Sequence, residues 1–120
     1  MESPSISAVL VHVEDVGQAA AWYARLFPSA VAAHLSDNRV RALRIGDVQL
    51  ELVPADDKCG SGAAGSIVYW AVEDLAEVLG RLAGLGVTPY RGPMRIESDQ
   101  GMAQVRDPWG NCIGLRGHYD

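Results

Sequence analysis

One carboxylate in this sequence stands in a setting suited to chemistry: Glu51, between Leu50 and Leu52. Apolar surroundings disfavour the charged form, raise a carboxyl pKa and let the group act as a general base or hold a cationic ligand. The same residue fits a plain structural ion pair with Arg41 or Arg116. His12 is the second group with ligating or acid–base capacity on an apolar run. Its competing reading is a strand-end imidazole, hydrogen-bonded at a rim or an interface. His34 and His118 read as solvated surface. Cys59 and Cys112 form no Cys-x-x-Cys or other zinc spacing; they read as two unpaired thiols of a reducing cytosol, with one disulfide as the alternative.

Bulk properties remove several function classes. A net charge of −5, with ten Lys and Arg scattered along 120 residues, argues against a nucleic-acid backbone as partner. The length suits one domain with a real core. Residues 1–7 lack the basic start and apolar block of a signal peptide, and no apolar run approaches the ~20 residues of a membrane span. The expected compartment is therefore the cytoplasm, and no membrane partner is expected. The glycines at 60, 62 and 65 lack the Lys-Ser/Thr and the strand-to-helix setting of a phosphate loop.

The elements that must position these groups come in two copies. Residues 13–16 read Val-Glu-Asp-Val and residues 72–75 Val-Glu-Asp-Leu, each after a short apolar run, 8–13 and 67–72, that reads as a buried strand. Asp15 with Gln18, and Asp74 with Glu77, are capping-box patterns that open helices. The first helix places Val16, Ala20, Tyr23 and Phe27 on one face and stops at Pro28. The second places Leu75, Val78, Leu79, Leu82 and Leu85 on one face, with Gly86 as its C′ residue. Three strand signals follow each helix: 30–35, 39–45 and 48–53 in the first half, and 87–91, 101–106 and 111–116 in the second. Ser36-Asp37-Asn38, Gly46-Asp47 and Asp107-Pro108-Trp109-Gly110-Asn111 are the turns. The order is βαβββ twice, an α+β chain with module one at about 6–55, a linker at 56–65 and module two at 66–117. The two halves are expected to curl one mixed sheet around a shared cleft, where a ligand would sit.

These features resemble the vicinal-oxygen-chelate superfamily, the glyoxalase, bleomycin-resistance and dioxygenase group. The resemblance covers almost the whole chain and is carried best by residues 65–74, the Leu85-Gly86-Val87 helix exit and Asp107-Pro108-x-Gly110-Asn111. It implies the fold and leaves the chemistry open, because that superfamily includes metal-dependent lyases and dioxygenases as well as metal-free drug-binding proteins. In its metal-dependent members the first strand of each half supplies His or Gln, and the last strand supplies Glu. The resemblance puts those four positions here at Ala8, Glu51, Ile67 and Gly114, so Glu51 alone survives. One carboxylate cannot hold a divalent ion against water.

Strand alternation then gives the lining expected of a metal-free cleft. Gln49, Glu51 and Val53 share one face of their strand; Ile67, Tyr69 and Ala71 another; Met102 and Gln104 a third; Cys112, Gly114 and Arg116 a fourth. The candidate ligand-binding residues are Gln49, Glu51, Tyr69, Met102, Gln104 and Arg116, with Glu51 the candidate catalytic group. Tyr69 is the aromatic expected in the cleft. Trp70 is expected under the helix, Trp109 in a turn, and Trp22 on a helix flank or a dimer contact. Three functions follow. The first is metal-free binding of a small molecule, with no cofactor. The second is a metal-dependent lyase or dioxygenase with atypical ligands such as His12 and Glu51. The third is a structural or regulatory dimer. A homodimer is expected in each, because relatives in that superfamily complete their clefts across a two-fold interface.

Overall fold

The structure, a computed structural model, describes residues 6, 8–57, 59–63 and 67–120. The leader reading of residues 1–7 and the linker reading at 58 and 64–65 therefore fall largely outside the described residues. The chain divides into two compact units, residues 1–61 and 62–120, each with one helix on one four-stranded mixed sheet. No helix among the described residues is long and apolar enough to cross a membrane.

In the first unit, β1 (Val9–Val13) leads into α1 (Val16–Leu26), followed by β2 (Val31–Ala33), β3 (Arg41–Ile45) and β4 (Val48–Pro54). The sheet order is β1-β4-β3-β2, with β1 and β4 parallel and the other pairs antiparallel. Asp15 caps α1 as expected: its Oδ1 accepts from the Gln18 N–H at 2.9 Å. Pro28 has no N–H to donate, and the helix ends just before it. The buried stripe is Ala19, Trp22, Tyr23 and Leu26. Trp22 is thus core rather than flank or dimer contact, its ring meeting that of Tyr23 edge-on at 5.0 Å. The buried stripe of the helix is wide enough to take both neighbouring rings, Trp22 beside the more deeply buried Tyr23. This stripe covers the β3–β4 side of the sheet, where Leu43, Leu50 and Leu52 are buried.

In the second unit, β5 (Val68–Asp74) leads into α2 (Leu75–Gly84), then β6 (Arg91–Glu97), β7 (Gln100–Arg106) and β8 (Cys112–His118), in the order β5-β8-β7-β6. Asp74 caps α2 by accepting from the Glu77 N–H at 3.1 Å. Gly86, at φ +82°, supplies the left-handed turn that lets the Val87 N–H reach back to the Leu82 carbonyl. Leu75, Val78 and Leu82 pack on β5, β7 and β8, over Ala103, Val105, Ile113 and Leu115.

The strand expected at 87–91 is displaced: β6 occupies 91–97, and 87–90 belong to the helix exit. Gly92-Pro93 reads as a breaker, yet Pro is tolerated on a sheet edge, and β6 is the edge. Its register shifts between Arg91 and Met94 absorb the two residues as a bulge.

Candidate functional site

Each sheet has one face under its helix and one turned away from it. Register shows which side chains share the away-facing surface, because residues paired across strands lie on the same side.

In the first unit, Leu10 pairs with Glu51, His12 with Val53, Ala42 with Glu51 and Arg44 with Gln49. Glu51 and Gln49 are therefore neighbours on the away face, as alternation implied. Gln49 Nε2 donates to Glu51 Oε2 at 2.7 Å. The ion pair with Arg41 is not formed: Arg41 pairs with Leu52, on the helix-side face. His12, opposite Val53, is one same-face row along from Glu51. Among the described residues no three of His, Cys, Asp and Glu come together as a metal would need.

In the second unit the away face is built in rows. Tyr69 pairs with Gly114, Gly114 with Gln104, and Gln104 with Arg91. In the next row Ala71 pairs with Arg116, Arg116 with Met102, and Met102 with Met94. On the other side, Arg106 pairs with Cys112. The Tyr69 ring lies flat over the backbone of Gly114, which has room for it only because Gly carries no Cβ. A Cβ there would stand 2.5 Å from Tyr69 Cδ1.

The ring is fixed at both ends. Gln104 Nε2 donates to the Tyr69 hydroxyl at 2.7 Å, and the Arg116 guanidinium stands 4.8 Å from the ring centroid. Gln104 Oε1 in turn accepts from the Cys112 thiol at 3.6 Å, a sulfur contact. Gln104 is 7% exposed and Met102 8%, so amide and thioether form a floor. Burial pushes the Cys112 thiol above its ordinary pKa, and the positive charges of Arg106 and Arg91 pull it partly back. Cys112 and Cys59 are both free.

The structure thus gathers Tyr69, Met102, Gln104 and Arg116 on one surface of the second unit, and Gln49 with Glu51 on one surface of the first. Sequence reasoning missed Arg91 and Arg106 beside the first group. Arg91 lies outside any strand that periodicity locates correctly, and only the β6–β7 register reveals that it faces Gln104.

The resemblance puts a last-strand metal-ligand position at Gly114, and the Tyr69 ring fills the space that a side chain there would need. No carboxylate fits there with the ring in place. These residues do not suit a bound ion in that unit.

A sequence model described as the Glyoxalase/Bleomycin resistance protein/Dioxygenase superfamily matches residues 5–115. No curated protein matches the chain. Among solved structures, a glyoxalase/bleomycin resistance protein/dioxygenase family enzyme from Burkholderia phytofirmans PsJN is similar, with a TM-score of 0.79 at 16% identity over 96% of this chain and 99% of that one. A member of the same superfamily from Sphaerobacter thermophilus DSM 20745 aligns with a TM-score of 0.76 at 17% identity over 97% and 98%. TioX from Micromonospora sp. ML1 aligns with a TM-score of 0.73 at 20% identity over 96% and 99%. At such identities the likeness is one of fold.

Proposed function

The chain belongs to the glyoxalase/bleomycin resistance protein/dioxygenase superfamily, and on that premise we propose that it binds a small molecule on the away face of its second sheet, without a metal ion. The observation that carries this reading is the Tyr69 ring seated on Gly114 and tied to Gln104. An aromatic ring with a satisfied polar edge gives an organic ligand an apolar border to pack against, and its polar atoms are already oriented. The same ring stands where the second metal-bound carboxylate would be. Glu51 and Gln49, bonded to each other, supply a polar pair on the first unit that can contact ligand; Glu51 remains the candidate for proton transfer.

In this reading the protein works in the cytoplasm as a homodimer. Exposed Leu10 and Val31 on the first unit give a second copy apolar surface to cover. Light scattering on the purified chain reports the oligomeric state.

Metal analysis together with ligand titration tests the main reading. Protein purified without added metal should carry no stoichiometric divalent ion. Small aromatic compounds should shift the backbone amide resonances of Tyr69, Met102, Gln104 and Gly114 equally with and without EDTA. One equivalent of bound divalent ion, or ligand binding abolished by EDTA, would show the reading to be wrong.

A further inference from the structure

The away face of the second sheet carries a charge pattern at odds with an acidic chain. The three rows around Gln104 hold Tyr69 and Ala71 on β5, Cys112, Gly114 and Arg116 on β8, Met102, Gln104 and Arg106 on β7, and Arg91 and Met94 on β6. Three residues of these three rows are arginines, and among the described residues no carboxylate stands in them; the next row, Asp74, His118 and Gln100, brings the first acid. Two other arginines have acid partners: Arg39 pairs with Asp37 at 3.0 Å, and Arg81 with Glu77 at 3.8 Å. Arg91, Arg106 and Arg116 have no carboxylate partner among the described residues.

Two of them rest on aromatic rings instead. Arg116 lies over Tyr69, and Arg106 lies 3.8 Å from the centroid of Tyr90. A guanidinium stacked on a ring keeps its edge N–H groups free for a bidentate acceptor, and stacking fixes its plane in advance.

The three arginines occupy three successive rows around Gln104. Arg91 is in its own row, Arg116 in the next row on one side, and Arg106 in the next row on the other. Same-face rows are about 6.6 Å apart, within the reach of an arginine side chain. Arg106 and Arg91 flank the Cys112 thiol, and their charges offset part of the rise that burial gives it. Gln104 cannot neutralise them: its amide is engaged with Tyr69, and its carbonyl oxygen accepts from Cys112. What is missing is a negative charge.

We propose that the molecule bound on this face is a small organic anion with a flat apolar body, its carboxylate held by Arg91, Arg106 and Arg116 above Gln104 and its body lying along Tyr69 and Met102. This rests on the small-molecule reading of the same face and adds the ligand's charge and shape. The apolar body follows from the floor, where Met102 is buried and the exposed Met94 flanks it. The carboxylate follows from guanidinium geometry and from the lack of an acid partner for these three arginines among the described residues.

Isothermal titration of the full chain with 2-naphthoate, its neutral amide and 2-naphthylmethylamine separates the two claims. Amide-resonance mapping of each ligand locates the site. Naphthoate should bind about tenfold or more tightly than the amide, with the preference shrinking as salt rises. Arg106→Gln and Arg116→Gln should each remove most of that preference while leaving the amide's affinity within about twofold. Arg25→Gln, which changes net charge equally from the exposed side of α1, should leave the preference intact. If all three ligands bind this face equally, or the amide or amine binds best, the anion proposal is overturned and the binding reading stands. If none perturbs Tyr69, Met102 or Gln104, both are overturned.

Discussion

Tyr69 and Gly114 face each other on adjacent parallel strands, and the ring of the first occupies the space that the side chain of the second would need. The glycine is therefore required by contact, not by backbone angle: its φ is not in the left-handed region. A methyl group at 114 must push the ring off the sheet, break the Gln104 hydrogen bond and expose the Arg116 stack. Gly114→Ala should cost about 1–3 kcal/mol of stability in urea denaturation. In the Tyr69→Ala background the same substitution should cost much less. Simple additivity in that double-mutant cycle would show that the ring and the glycine are not coupled.

Asp107 organises the turn before β8 with both carboxylate oxygens. Oδ1 accepts from the backbone N–H groups of Trp109 and Asn111, at 2.9 and 2.8 Å, and Oδ2 accepts from Asn111 Nδ2 at 2.9 Å. The residue is 4% exposed, so water cannot replace these bonds freely. Asp107→Ala should lower stability by about 2–3 kcal/mol, and Asp107→Asn, which keeps one acceptor oxygen, by less. Equal losses would mean that the turn depends on side-chain volume rather than on hydrogen bonds.

A pH-dependent clasp closes the second sheet. His118 Nδ1 meets Asp99 Oδ2 at 3.3 Å and Nε2 meets Asp120 Oδ1 at 3.1 Å. The Asp99 hydrogen bond, followed by Asp120, holds the imidazole above its ordinary 6.5, and His118 holds the Asp99 carboxyl below its ordinary 3.8. The raised imidazole contributes stability fully below pH 6.5 and loses it as pH rises through the elevated value. The lowered carboxyl contributes above pH 3.8 and loses it as pH falls through its depressed value. Wild type should therefore exceed His118→Gln in urea midpoint at pH 5.5, and the gap should close by about pH 9. A gap independent of pH would assign the effect to packing. Because all three groups are solvent-exposed, high salt should narrow it.

The two helix caps make a paired prediction. Asp15→Ala and Asp74→Ala each remove an acceptor for a first-turn N–H, and each should cost about 1 kcal/mol. The caps serve different helices in different units, so the costs in the double variant should add. Serine at either position should recover most of the loss.

Local chemistry was readable where a residue's role depends on its sequence neighbours. Asp15 and Asp74 were legible as caps, Gly86 as a helix exit, and the alternation of Leu50, Glu51 and Leu52 as opposite faces. Trp22 was misplaced because its helix has two overlapping apolar stripes, and only the sheet beneath decides that it covers both. The edge strand β6 was shifted because Gly92 and Pro93 are breakers everywhere except at an edge or a bulge. Of the candidate site, alternation found Tyr69, Gln104 and Arg116, but it could not find that Gln104 bonds Tyr69 and Cys112. Nor could it place Arg91 beside them, because that depends on register between strands.

The position of β8 has a consequence for the order of synthesis. It is the last strand of its unit to be made, and it lies inside the sheet, bonded to β5 on one side and β7 on the other. While the ribosome is still adding residues 112–118, β5 has no strand to pair with, and α2 has only part of the surface it will cover. The sheet cannot be assembled from its beginning outward. It must wait for the insertion of a central strand between two segments already released, with Gly117 passing close under the Val72 carbonyl. A nascent chain paused shortly before residue 112 therefore presents the open edges of β5 and β7 to other chains, and this is the interval in which chaperone contact or misassembly would act on it.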